Sequence, residues 1–222
     1  MKKLFMVMLL AFASISGVFA QEIDENATRS YATGEGWFVQ AQGGMHFNAA
    51  ENAKFVPVSK WISYNTSLSV GKRFTTLWGI RAQFMYGGDN GFFESKKDSQ
   101  VYNFNHFAGY LEMTLNLTNA FRGGVNVGEE KPFNLYLIAG PGCTNTFNFD
   151  KKGYMGNTSL TGETQTAFTF YGALEAAYSF CPHFDVNLEI GGSCQSDNFN
   201  GVDCESYLEL AGSVMLGVRY TF

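Results

Sequence analysis

From residue 36 to the end of the chain, apolar and polar side chains take turns. The first run places Trp37, Val39, Ala41, Met45 and Phe47 at odd positions and Gln40, Gln42 and His46 at even ones. The second sets Tyr64, Leu68, Val70 and Phe74 against Ser67, Ser69 and Arg73. The third sets Trp78, Ile80, Ala82, Phe84 and Tyr86 against Arg81, Gln83 and Met85. In the fourth, Phe107, Leu111, Met113 and Leu115 alternate with His106, Tyr110, Glu112 and Thr114. The fifth opposes Phe133, Leu135 and Leu137 to Asn134, Tyr136 and Ile138, and the sixth opposes Phe168, Phe170, Leu174 and Tyr178 to Thr169, Tyr171 and Glu175. The seventh opposes Phe184, Val186, Leu188 and Ile190 to Asp185, Asn187 and Glu189. The last opposes Leu208, Leu210, Val214, Leu216, Val218, Tyr220 and Phe222 to Glu209, Ser213, Arg219 and Thr221. A helix would repeat every 3.6 residues, and these runs repeat every two. The alternation predicts eight strands of about ten residues, each with one apolar and one polar face.

Alternation alone does not say which face is inside. A soluble lipocalin-like barrel would turn the apolar face inward, and an outer-membrane barrel would turn it to lipid. Two features favour lipid. Large aromatics crowd one set of strand ends: Trp37, Phe74, Trp78, Phe133, Phe180, Phe184, Tyr220 and Phe222. A ring at one level is what an interfacial girdle looks like, and a soluble core has no reason to build one. The connections also differ by side. Residues 75–77 and 181–183 make short turns and 118–132 a moderate one, while 48–63, 87–101, 144–165 and 195–203 are generally longer. The aromatic ring and the final residue fall at the short-turn end. The expected fold is all-β, an eight-stranded antiparallel up-and-down transmembrane β-barrel.

The first twenty residues stand apart. Lys2 and Lys3 precede the almost wholly apolar stretch 4–15, and Gly17-Val18-Phe19-Ala20 places small residues at the −1 and −3 sites of a cleavage point. That layout is a secretory signal peptide, cut near Ala20. Residues 21–35 are polar and read as a short periplasmic lead-in, and 36–222 as the barrel. The formal charge is −5, from 15 basic and 20 acidic residues. Removing residues 1–20 takes away two lysines, so 13 basic and 20 acidic residues leave −7. That balance argues against a nucleic-acid partner. With 22 Phe and 11 Tyr, the chain is too aromatic for disorder.

The ending Val218-Arg219-Tyr220-Thr221-Phe222 resembles the C-terminal targeting signal of outer-membrane barrels, a last strand closed by an aromatic. With the leader and the eight runs, residues 36–222 resemble the small barrels of the OmpA transmembrane domain and OmpX type. The resemblance implies a place in the cell outer membrane. It also implies contact with membrane lipid and lipopolysaccharide, and engagement of the barrel-assembly machinery through the last strand. It is specific for architecture and says little about task. The reading that follows is a non-enzymatic barrel, without cofactor, with a structural or surface-interaction role through its long loops. The alternatives are a lipid-modifying enzyme using a rim histidine and a narrow solute channel.

Parity turns Arg73, Arg81, Arg219, Glu112, Glu175, Glu189, Asp185 and Glu209 inward. An eight-stranded interior is just wide enough for side chains to fill it, so these charges should pair and plug the lumen. His46 and His106 also point inward, near the long-loop end, where they could serve as bases. As metal ligands they need a further partner, and spacing supplies none. Of the four cysteines, Cys194 and Cys204 flank the last long loop with shared outward parity and form the candidate disulfide. Cys143 and Cys181 fall at opposite ends and should not pair. Lys96, Lys97, Lys151 and Lys152 sit in two long loops, placed to meet lipopolysaccharide phosphates.

Overall fold

The computed structural model describes residues 35–48, 57–92, 101–123, 132–150, 153–155, 158–160, 163–196 and 209–222. In chain order the strands are β1 (Gly36–Asn48), β2 (Ile62–Arg73), β3 (Trp78–Phe92), β4 (Val101–Asn116), β5 (Phe133–Phe147), β6 (Gly153–Met155), β7 (Thr158–Leu160), β8 (Gln165–Cys181), β9 (Phe184–Gln195) and β10 (Glu209–Thr221). A five-residue helix, α1 (Leu117–Phe121), follows β4. Strands β6 and β7 pair with each other as a separate two-stranded sheet, and the other eight form a closed antiparallel barrel. Closure comes from β1, which pairs with both β2 and β10.

The register fixes the barrel's dimensions. Partner by partner, Gly36 leads to Arg73, Gly79, Thr114, Ile138, Ala173, Gly191, Ser213 and back to His46 on β1. The circuit returns ten residues further along the strand, which is the shear. For eight strands, that stagger implies a tilt of about 40°. The interior is then narrow and admits side chains only.

Parity sorts the side chains as the alternation requires. Gln40, Gln83, Glu112, Glu175, Glu189 and Thr221 are buried in the lumen. Leu68, Leu111, Met113, Leu174, Ile190 and Leu216 are exposed on the outer wall. The expected ring is present at the short-turn end: Phe74, Trp78, Phe133, Phe180, Phe184 and Phe222 are exposed there, with Trp37 and Tyr220 half-buried beside them. A second aromatic ring, which the sequence reading missed, circles the opposite end with Tyr64, Tyr86, Phe107, Phe147 and Phe168. Tyr86 lies 6.4 Å from Tyr64 and 6.5 Å from Phe147, ring centre to ring centre. From Phe74 to Tyr64 is ten residues, or about 25 Å along the barrel axis at that tilt. That is the height of an outer-membrane hydrocarbon band, about 25 Å. Among the described residues no helix is long and apolar enough to cross a membrane.

The turns at the lower end are pinned locally. Thr75 Oγ1 accepts from the backbone N–H of Trp78 at 2.9 Å and of Leu77 at 3.1 Å. The 118–132 connection opens with α1 rather than a plain loop. Asn116 caps it, its Oδ1 accepting from Asn119 N–H at 3.0 Å, as Asn commonly does at helix starts. The eight barrel strands are also longer than expected, 12 to 17 residues each. β3 continues through Gly87-Gly88-Asp89-Asn90-Gly91-Phe92 instead of ending at Tyr86, so the connection to β4 spans 93–100 rather than 87–101. The leader and most of the lead-in fall outside the described residues, as do Lys96, Lys97, Lys151, Lys152 and Cys204.

Candidate functional site

The lumen holds two polar clusters at different heights. The lower one is built on Arg81 from β3 and Arg219 from β10. Arg81 Nε donates to Glu112 Oε2 at 2.5 Å and Nη1 donates to Glu189 Oε2 at 2.8 Å. Its Nη1 also lies 3.6 Å from Glu175 Oε2. Arg219 donates to Glu175 through Nη2, to Asp185 through Nη1 at 3.2 Å, and to Gln40 Oε1 through Nε at 2.8 Å. Glu175 therefore bridges the two guanidiniums, and Gln40 Nε2 closes the loop on it at 2.8 Å. Tyr171 adds an O–H donated to Glu189 at 2.7 Å.

Arg73 belongs to the same level. Its Nη2 donates to Thr221 Oγ1 at 3.1 Å, and its guanidinium lies 5.1 Å from the Phe38 ring centre. The Arg219 guanidinium lies 5.0 Å from that ring. The electron-rich face of an aromatic ring favours such cations. Glu209 stands elsewhere. It is buried at the start of β10, opposite Gln195 and ten residues from Arg219, about 30 Å along the strand. The structure thus gathers Arg73, Arg81, Arg219, Glu112, Glu175, Glu189 and Asp185, and sets Glu209 apart. Buried apolar side chains fill the lumen between these groups: Ile138 lines the cavity beside Arg81 and Arg219, and Met85 the one beside His46 and His106.

The upper cluster is His46, Asp89 and His106. His46 Nε2 is 3.0 Å from Asp89 Oδ1, and His106 Nδ1 is 2.7 Å from Asp89 Oδ2. The imidazole centres are 4.9 Å apart. All three residues are buried. Both histidines face the lumen as their parity requires, and the missing partner is Asp89, contributed by the extension of β3. The signal for it was present in parity, since Asp89 is two residues beyond Gly87 and eight beyond inward Arg81. It was masked by a run of turn-forming residues. Phe104 lies across from Asp89 in the register and stacks on Phe149 with centroids 5.0 Å apart, Tyr102 joining them at 5.9 Å from Phe104.

Cys194 is exposed on the outer face of β9, so the candidate bridge to Cys204 lies partly outside the described residues. Cys143 pairs in register with Phe168 near the upper end, and Cys181 lies at the lower turn.

The chain matches the family model described as outer membrane protein beta-barrel domain over residues 8–222. Nothing among curated proteins matches it. Among solved structures it is similar to Neisserial surface protein A, with a TM-score of 0.55 and 13% identity, covering 84% of this chain and 97% of that one. It is likewise similar to the outer membrane protein OprG from Pseudomonas aeruginosa, with a TM-score of 0.54 and 12% identity, covering 85% of this chain and 97% of that one. At such identities the likeness is one of fold. The closed eight-stranded wall, the apolar belt between two aromatic rings and the match across nearly the whole length agree: the chain belongs to the outer membrane protein beta-barrel domain family and resides in the outer membrane.

Proposed function

We propose that this protein is a non-enzymatic outer-membrane barrel, its lumen closed by its own side chains, that serves as a scaffold for surface interaction through its longer loops. The filled interior carries this reading. The cavity beside Arg73, Arg81, Glu175 and Arg219 measures about 10 Å³, and the one beside His46 and His106 about 10 Å³. Each is room for a single water. A hydrated ion has no path through that packing while the Arg81–Glu175–Arg219 bridge holds. A lipid-modifying site is disfavoured by geometry: His46, Asp89 and His106 face the lumen, while Met45 and Phe107, next to the histidines, face the bilayer. In this reading the apolar belt contacts lipid, and Lys96, Lys97, Lys151 and Lys152 contact lipopolysaccharide phosphates. The last strand, ending Tyr220-Thr221-Phe222, is what the assembly machinery engages.

Purified wild-type protein in planar bilayers tests the closed lumen. The expected record is electrically silent, with folding checked by a heat-dependent shift on a gel. Regular unitary conductance steps from the folded protein would contradict it. Surface interaction is tested by binding to vesicles containing lipopolysaccharide. Changing all four loop lysines to Gln should weaken that binding several-fold and steepen nothing else, and unchanged binding would remove those lysines from the account.

A further inference from the structure

We propose that His46, Asp89 and His106 form a binding site for one divalent transition-metal ion of the kind that imidazole favours, with zinc, copper(II) or nickel(II) as the fitting class. Two imidazoles and one carboxylate offer ligand atoms that all lie within 4.8 Å of one another. Zinc bonds to such atoms are about 2.0–2.2 Å long, which sets tetrahedral ligands about 3.3 Å apart. Small rotations of the two imidazoles close that difference. Magnesium and calcium prefer sites made wholly of oxygen, so two nitrogens in three argue against them.

Three further observations point to a cation. Asp89 has no exposed side-chain surface, and its ion pairs among the described residues are with the two imidazoles alone. The guanidinium on its own strand, Arg81, lies eight residues back, about 27 Å away. A buried carboxylate in that position is stabilised by a positive charge beside it. In addition, His46 Nδ1 is buried without a hydrogen-bond partner, leaving that ring's polar capacity incompletely used. Finally, the adjoining cavity of about 10 Å³ is lined by Asn65, Tyr110, Thr144, Ser193 and Gln195 as well as the histidines. It accommodates the single water that would complete a four-coordinate ion, as in sites with three protein ligands.

The framework is firm. His46 pairs with Ser63 and His106 with Gly87 in the sheet ladders, and Ser63 Oγ donates to Gly88 O at 2.5 Å, fixing the backbone before Asp89.

The test uses tag-free full-length mature protein, refolded in detergent, with all four cysteines changed to Ser so that thiolates do not compete. Zinc chloride is titrated calorimetrically, and cobalt(II) is followed by its visible absorption. The expected result is one equivalent bound, with a cobalt band of tetrahedral strength. Asp89→Asn should weaken zinc binding at least tenfold, and His106→Gln should abolish the cobalt band, while both variants keep the heat-dependent gel shift. Failure of the folded parent protein to take up stoichiometric zinc would overturn the proposal whatever the variants do. So would equal uptake by folded His106→Gln.

Discussion

Arg81 holds two carboxylates at once, Glu112 at 2.5 Å and Glu189 at 2.8 Å. Truncation to alanine leaves both buried without that guanidinium. Breaking a buried pair from one side costs about 3–5 kcal/mol, so Arg81→Ala should lower the urea midpoint of the refolded barrel by that equivalent. An unchanged midpoint would mean the cluster contributes nothing to stability. A second test concerns Tyr171, whose ring lies over Gly191. A Cβ at 191 would overlap that ring. Gly191→Ala should therefore displace Tyr171, break its 2.7 Å bond to Glu189 and destabilise by about 1–3 kcal/mol. Reduced tyrosine packing in near-ultraviolet circular dichroism would accompany the loss. The inward charges were legible because parity is a property of each position, independent of its partners. Their grouping was not legible. Which inward charges on different strands share a height depends on shear, hence on register between distant strands, whereas Glu209 is set apart from Arg219 by the ten residues between them on one strand.

At the scale of the strand and its turns, the eight runs read correctly as elements and poorly as lengths. Gly87, Gly88, Asp89, Asn90 and Gly91 are turn formers by local preference. They continue β3 because β4 meets them residue for residue up to Phe92 and Val101. Pairing satisfies the backbone there more fully than a turn would, and tertiary context overrides propensity. That extension brought Asp89 to the histidines, so one misread boundary hid the upper cluster. The helix α1 was hidden for a similar reason. Five residues are too few to show a helical period, and its only local mark is Asn116 at the cap. Asn116→Ala removes the bond to Asn119 N–H and one to Asn134 Oδ1, at 3.0 and 2.8 Å. The expected loss is about 1–2 kcal/mol in urea unfolding, with the barrel still closing.

For the barrel as a whole, the issue is what surrounds it. Leu111 is 62% exposed midway along β4, between the two aromatic rings. On a water-soluble barrel Leu111→Arg would be nearly neutral. In the bilayer midplane an arginine costs about 2–4 kcal/mol, and that loss is expected in lipid vesicles. The same wall explains why so many leucines stand outside while arginines and glutamates fill the centre: the solvent outside is hydrocarbon, and the ionic groups find partners only in the lumen. A soluble barrel would invert that distribution.

Spin labels placed singly at Leu111, Leu188 and Leu216, in a cysteine-free background reconstituted into lipid vesicles, probe what touches the outer wall. Each label should collide readily with dissolved oxygen and hardly at all with a water-soluble nickel chelate. Ready collision with the nickel chelate at all three positions in the folded protein would place water where lipid is required and contradict the account.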